Sequence, residues 1–237
     1  MTKNLEGQIA LVTGASRGIG YAMARELAAQ GAHVISVART VGGLEELDDE
    51  IQAAGGTATI TPVDLREGDS IDRIGAAIAE RWGRLDILVG NAAMLGILGP
   101  VAHLEPDVWE DIYALNVTAN FRLLRSFDAL LQAAPAGRAM FMTSTVGNEP
   151  RAYWGGYASS KAALESLVLG YALEVEKTNL KVNLLNPGGT RTSMRAQAMP
   201  GEDPAALPST KDVAQKAVQM LSPDWQRSGE RLHISDL

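Results

Sequence analysis

The chain has 237 residues, 46% of them hydrophobic and 21% charged, which suits a soluble globular protein with room for a real core. Its formal net charge of −7 excludes nucleic acid as the main partner, because phosphate binding needs a basic face. It has no cysteine, so disulfides, thiol nucleophiles and thiolate metal sites are excluded, and His33, His103 and His233 are scattered without metal-ligand spacing.

A strand-like run begins within ten residues, in "MTKNLEGQIALVTG". This leaves no room for a signal peptide, and no apolar stretch approaches the roughly 20 residues a membrane span needs. A cytoplasmic location without membrane contact is expected. The strand candidates follow in order: "QIALVTG", "HVISVAR", "TATITPVD", "LDILVGNA", "RAMFMTS", "KVNLLNPG" and "RLHIS". Helical patterns lie between them, at 18–30, 42–54, 67–82, 107–133, 155–178 and 210–221. Wholly apolar strands, each separated by a helix, predict a doubly wound seven-stranded parallel sheet with helices on both faces. No linker or repeat interrupts this α/β pattern, so a single domain spanning 1–237 is expected. The stretch 189–208, "GTRTSMRAQAMPGEDPAALP", holds three prolines and little periodicity. It predicts a long substrate-side loop with one short helix.

"TGASRGIG", Thr13 to Gly20, follows the first strand and opens the first helix. Gly14 permits a sharp turn, while Gly18 and Gly20 permit close approach of a ligand and of the helix. The helix N-terminus offers unpaired N–H groups to a pyrophosphate. An acid is expected at the end of the second strand if the cofactor ribose carries a free 2′-hydroxyl. Ala38 and Arg39 stand there instead. A guanidinium pairs with a 2′-phosphate, and Arg17 is placed to reach the same group, so the pattern favours NADP(H).

"YASSK" puts Tyr157 and Lys161 one helical turn apart on one face. A neighbouring cation favours the phenolate, so Lys161 is expected to lower the Tyr157 pKa and let the phenol trade protons near neutrality.

With both motifs in one α/β chain, the sequence resembles the short-chain dehydrogenase/reductase family, single-domain branch, over nearly its whole length. "TGASRGIG" resembles the cofactor turn, and "GNAAM" stands in place of the NNAG segment, with Gly90 and Ala93 departing from it and Asn91 and Ala92 retained. Asp64 in "PVDL", Asn116 in "LNVTAN", Ser144 in "MTSTVG" and "NPGGTRT" at 186–192 fall in the family's order. The resemblance implies a Rossmann-type fold and a hydride transfer between nicotinamide and a carbonyl or secondary alcohol. It implies that Tyr157 is the acid/base, Ser144 a donor to the substrate oxygen, Lys161 a ribose ligand that depresses the tyrosine pKa, and Asn116 the anchor of a water leading from the lysine. The implied cofactor set is Gly14, Ser16, Arg17, Gly18, Ile19, Gly20, Arg39, Asp64, Leu65, Asn91, Ala92, Tyr157, Lys161, Pro187, Gly188, Thr190 and Thr192, with Asp64 on the adenine and Thr192 on the nicotinamide amide. The loss of one amide at Gly90 is expected to loosen the turn after strand four.

The helices at 107–133 and 155–178 are apolar around most of their circumference, which calls for cover on two sides. A homodimer or homotetramer through these helices is expected, and the family uses them so. The chain stops at "RLHISDL", which puts another of the family's subunit contacts in doubt. The leading expectation is an NADP(H)-dependent oxidoreductase of a small carbonyl or alcohol. A 3-oxoacyl-[acyl-carrier-protein] reductase is the alternative, weakened because neither long helix ends in an arginine for an acidic partner. A non-enzymatic NADP-binding sensor would not need Ser144, Tyr157 and Lys161. Arg151, Arg191 and Arg195 stand near the substrate side, either for an anionic substrate group or for the cofactor.

Overall fold

The computed structural model describes residues 4–237; the first three residues, where the N-terminal reading begins, lie outside it. Strand β1, Ile9–Thr13, is buried along its whole length. It lies between β2, His33–Ala38, and β4, Ile87–Gly90, and β3, Thr57–Pro62, closes that side. On the other side follow β5, Arg138–Met142, β6, Lys181–Asn186, and β7, Arg231–His233. All seven pair in parallel, in the order β3-β2-β1-β4-β5-β6-β7. The expected doubly wound sheet is therefore the observed one.

Strand side chains alternate between two cores. Ala10, Val12, Val34 and Val89 face helices α1, Gly18–Ala29, and α2, Val41–Ala53, through Met23, Leu27, Leu44 and Leu47. Helix α8, Thr210–Ala217, adds Ala214 and Ala217 to the same layer. Leu11, Ile35, Leu88 and Phe141 face α3, Ser70–Trp82, together with α5, Ala119–Ala133, and α6, Gly155–Glu174. Burial on both faces explains the uniformly apolar strand sequences.

The expected helix over 107–133 is present as one continuous helical segment with a π turn inside it. It consists of α4, Pro106–Tyr113, a π turn over Ala114–Thr118, and α5. The wider turn accommodates an extra residue, and the Asn116 carbonyl accepts a bond from Asn120 Nδ2 at 2.8 Å. The 189–208 loop carries its expected short helix, α7, Ser193–Ala198, and a 3₁₀ turn at Pro204–Ala206. Strand order reverses beside β1, and the crevice beyond the carboxyl ends of β1 and β4 is where a fold of this kind binds its ligand.

Candidate active site

The turn after β1 is tied to β4 by one buried hydroxyl. Thr13 Oγ1 accepts from the backbone N–H groups of Asn91 and Ala92 at 2.9 and 3.0 Å and donates to the Val89 carbonyl at 3.2 Å. Asn91 Nδ2 returns a bond to the Thr13 carbonyl at 2.8 Å. Gly14 and Gly18 have φ of +66° and +65°, a region that glycine enters without strain. Helix α1 starts with no side-chain cap and no acid in its first turn, which leaves its N-terminal N–H groups for an external anion.

From this turn a cavity of about 380 Å³ runs past Arg39 and Asp64 to Tyr157 and Lys161. Gly14, Ser16, Arg17, Gly18, Ile19, Leu65, Asn91, Ala92, Pro187 and Thr192 are among the residues that line it. Gly20 does not line it; a Cβ there would overlap the Gly14 carbonyl oxygen, so its place is in packing the turn. Gly188 and Thr190 line a second cavity instead, and the buried Thr190 hydroxyl donates to the Pro187 carbonyl at 3.1 Å. The Asp64 carboxylate is held by Arg66 Nη2 at 2.7 Å and lies 3.6 Å from Arg39 Nη1. These guanidinium bonds keep the carboxyl below its usual range, and it meets Arg66 more closely than anything across the cavity. Arg39 has a side chain 62% exposed and reaches Asp64 only at that longer distance, so it remains able to meet a phosphate. With Arg17 also at the wall, the donor set fits a dinucleotide carrying an additional phosphate.

Tyr157 forms part of both cavities, and Ser144 lines the second, of about 160 Å³. Both residues are placed by strand and helix ends, Ser144 just after β5 and Tyr157 in the first turn of α6. The expected depression of the Tyr157 pKa is not what the packing produces. Burial pushes the phenol up to about 12, and the nearby Ser144 hydroxyl opposes that shift. Lys161 Nζ lies 5.7 Å from the Tyr157 ring centroid and donates to the Met142 carbonyl at 2.8 Å. Burial brings the ammonium down to about 8, against the opposing charge of Glu165. The i, i+4 spacing put the two on one face; the direction of the ammonium and the dryness of the site decided the pKa values.

The Asn116 side chain ties two elements together. Its Oδ1 accepts from the Met94 N–H and its Nδ2 donates to the Met94 carbonyl, both at 2.9 Å, and to Ser160 Oγ at 3.0 Å. The side chain is fully buried and pins the loop after β4 to α6.

A family model for short chain dehydrogenase matches residues 8–203. The chain belongs to the short chain dehydrogenase family. It is 37% identical to the oxidoreductase YciK of Escherichia coli (strain K12) over 226 residues, 94% of this chain and 89% of that one. It is 32% identical to the 3-oxoacyl-[acyl-carrier-protein] reductase FabG of the same strain over 242 residues, covering 98% and 97%. A short chain dehydrogenase of Shigella flexneri 2a, solved in complex with NADP, superposes with a TM-score of 0.95 at 34% identity, over 99% of this chain and 100% of that one.

Two features of this short chain dehydrogenase were not legible as site features. A Cβ at Gly90 would overlap the Phe141 ring, so the departure from the family's asparagine makes room for an aromatic side chain. The turn after β4 is consequently not loosened: Thr13 and Asn91 hold it from the β1 side. The second is a polar cluster beneath Ser144. Glu165 Oε1 accepts from the Thr143 hydroxyl and from Arg231 Nε at 2.8 Å, while Arg231 Nη2 donates to the Ser144 carbonyl at 3.0 Å. Glu165 stands one turn beyond Lys161 on α6, and that spacing was a usable signal. Arg231 comes from β7, and nothing local announces it.

Proposed function

We propose that the chain is an NADP(H)-dependent oxidoreductase that transfers a hydride between the nicotinamide and a small carbonyl compound or secondary alcohol. The observation that carries this reading is that Tyr157 stands in the wall of both a nucleotide-sized groove and a smaller cavity, with Ser144 lining the smaller one beside it. When bound, the nicotinamide supplies a hydride to the carbonyl carbon and leaves oxidised. The Tyr157 phenol then delivers its proton to the oxygen that becomes the alcohol, and Ser144 Oγ donates to that same oxygen while charge builds on it. Lys161, mostly charged at pH 7, holds the ribose side and stabilises the phenolate left behind. Arg17 and Arg39, with no acid at 38–40, support recognition of a 2′-phosphate.

The carrier-protein reductase remains the second reading, since it shares the same polar groups and the chain is similar to FabG. The ends of α5 and α6, "LLQAAPAG" and "LEVEKTN", carry no arginine, which disfavours it. We also propose a homodimer or homotetramer through α4, α5 and α6, supported by the exposure of Phe121 and Leu173.

The test is oxidation of NADPH, followed by absorbance, with a panel of small aldehydes and ketones, and with NADH in parallel. Tyr157→Phe is expected to lower kcat by about 10²–10⁴. Equal turnover in both proteins rejects the acid assignment.

A further inference from the structure

We propose that Arg151 selects carbonyl substrates that carry a carboxylate on a compact apolar body. This rests on the reductase reading of the same site. Ser144 and Tyr157 line the second cavity, and Leu95, Val146, Trp154 and Met194 supply an apolar wall. Three arginines lie on this side of the molecule, and their partners separate them. Arg191 donates to the Pro204 and Leu207 carbonyls at 2.8 and 3.1 Å and so ties the loop to itself. Arg195 lines the cavity but gives Glu202 two bonds, at 2.5 and 2.7 Å, which cancel its charge. Arg151 lines the cavity too, and among the described residues its guanidinium has neither ion pair nor hydrogen bond.

The backbone holds Arg151 in place. Trp154 N–H donates to the Arg151 carbonyl at 3.2 Å and closes a turn, in which Tyr153 takes a φ of +73°. Gly99 N–H donates to the Tyr153 carbonyl at 2.9 Å, which binds this turn to the loop after β4. A non-glycine residue adopts that φ uncommonly, and the backbone bonds on either side keep Tyr153 there. Trp154 meets the Tyr157 ring edge-on at 6.2 Å between centroids, which connects the cation's turn to the reacting phenol. A free guanidinium offers a planar fork that matches a carboxylate with two parallel bonds. The chain as a whole carries −7, so an anion finds attraction at this rim and not over the surface generally. The cavity of about 160 Å³ is below the usual 300–1,000 Å³ of drug-sized sites, so the body of the substrate is small.

Two measurements test this. In the first, kcat/KM with NADPH is compared between 2-, 3- and 4-formylbenzoate and their methyl esters, which vary the spacing of aldehyde and charge. At least one acid is expected to exceed its ester tenfold or more. Arg151→Gln should bring that ratio to near one, chiefly through KM of the acid, and Arg151→Lys should restore part of it, since the charge returns without the fork. A wild-type ratio of one or below, or one unaltered in Arg151→Gln, overturns the proposal. In the second, benzoate and benzamide are titrated into the NADP-loaded protein by calorimetry, with no turnover required. Benzoate is expected to bind at least tenfold tighter, with the difference lost in Arg151→Gln. If no aldehyde is reduced while benzoate still prefers the wild-type protein, the reductase reading falls and the anion site stands. Equal binding of the two, or no binding of benzoate, removes the anion site.

Discussion

Lys161 has to be charged to act on Tyr157 and is packed where charge is costly. Its ammonium is buried, with the Met142 carbonyl as acceptor and Glu165 one turn away. Its folded pKa of about 8 lies below the ordinary 10.5. Between those values the unfolded chain binds a proton that the folded chain lacks, so this group's contribution to stability rises with pH there and is lost as pH falls through about 8. Tyr157 works the other way, since its pKa is raised from 10.0 to about 12, and its contribution declines only above pH 10. Below pH 10 the lysine therefore acts alone in this pair. Denaturant unfolding of wild type and Lys161→Met at pH 7.5 and 9.5 is expected to show wild type gaining roughly 2 kcal/mol relative to the variant at the higher pH. A gap that stays constant would mean that the ammonium is not desolvated. The i, i+4 spacing of "YASSK" was legible; its electrostatic outcome was not, because desolvation depends on what covers the helix face.

Helix α6 presents Tyr157, Lys161 and Glu165 in successive turns, and β7 supplies the arginine that completes this face. Arg231 joins three elements: it pairs with Glu165 on α6 and holds the Ser144 carbonyl after β5. Arg231→Met leaves a largely buried carboxylate with the Thr143 hydroxyl and no ion-pair partner in contact, the Lys161 ammonium acting only from one turn away. A loss of about 3–5 kcal/mol in denaturant unfolding is expected. Adding Glu165→Gln to that variant should recover part of the loss, because the uncompensated charge is then gone. Additive losses in the double variant would show that the two residues act separately. The long helix before this face shows the limit of periodicity as a guide. Its apolar pattern reads as one helix over 107–133, yet a π turn sits at Ala114–Thr118. One additional residue in a turn barely alters the pattern, but it brings Asn116 to Met94 and Ser160.

At the scale of the whole molecule, the sheet and its two helical layers leave apolar side chains uncovered on the helices expected to meet a second subunit. Leu173 on α6 is 72% exposed and Phe121 on α5 is 48% exposed, and on α4 the partly exposed Trp109 stacks on Tyr113 at 4.4 Å. Scattered exposed residues are ordinary, so the proposed interface needs a direct test. Sedimentation equilibrium of the wild-type chain is expected to give a dimer or tetramer, and Phe121→Glu with Leu173→Glu should shift it toward monomer with the fold retained. A monomeric wild type would withdraw the interface.

The sequence by itself determined the seven strands, the turn at Gly14 and Gly18, and the one-turn spacing of Tyr157 and Lys161 on a helix, while Ser144 entered only through the family resemblance. Those features come from local rules: strand and helix periodicity, glycine at positive φ, and side chains one helical turn apart. Tertiary structure alone decided that Phe141 occupies the space above Gly90, that Arg231 reaches Ser144 from the last strand, and that Arg195 is neutralised while Arg151 is free. It also decided the protonation of Tyr157 and Lys161. Each of these is set by which distant segments the fold brings into contact and how much water they exclude, and no local pattern carries that information.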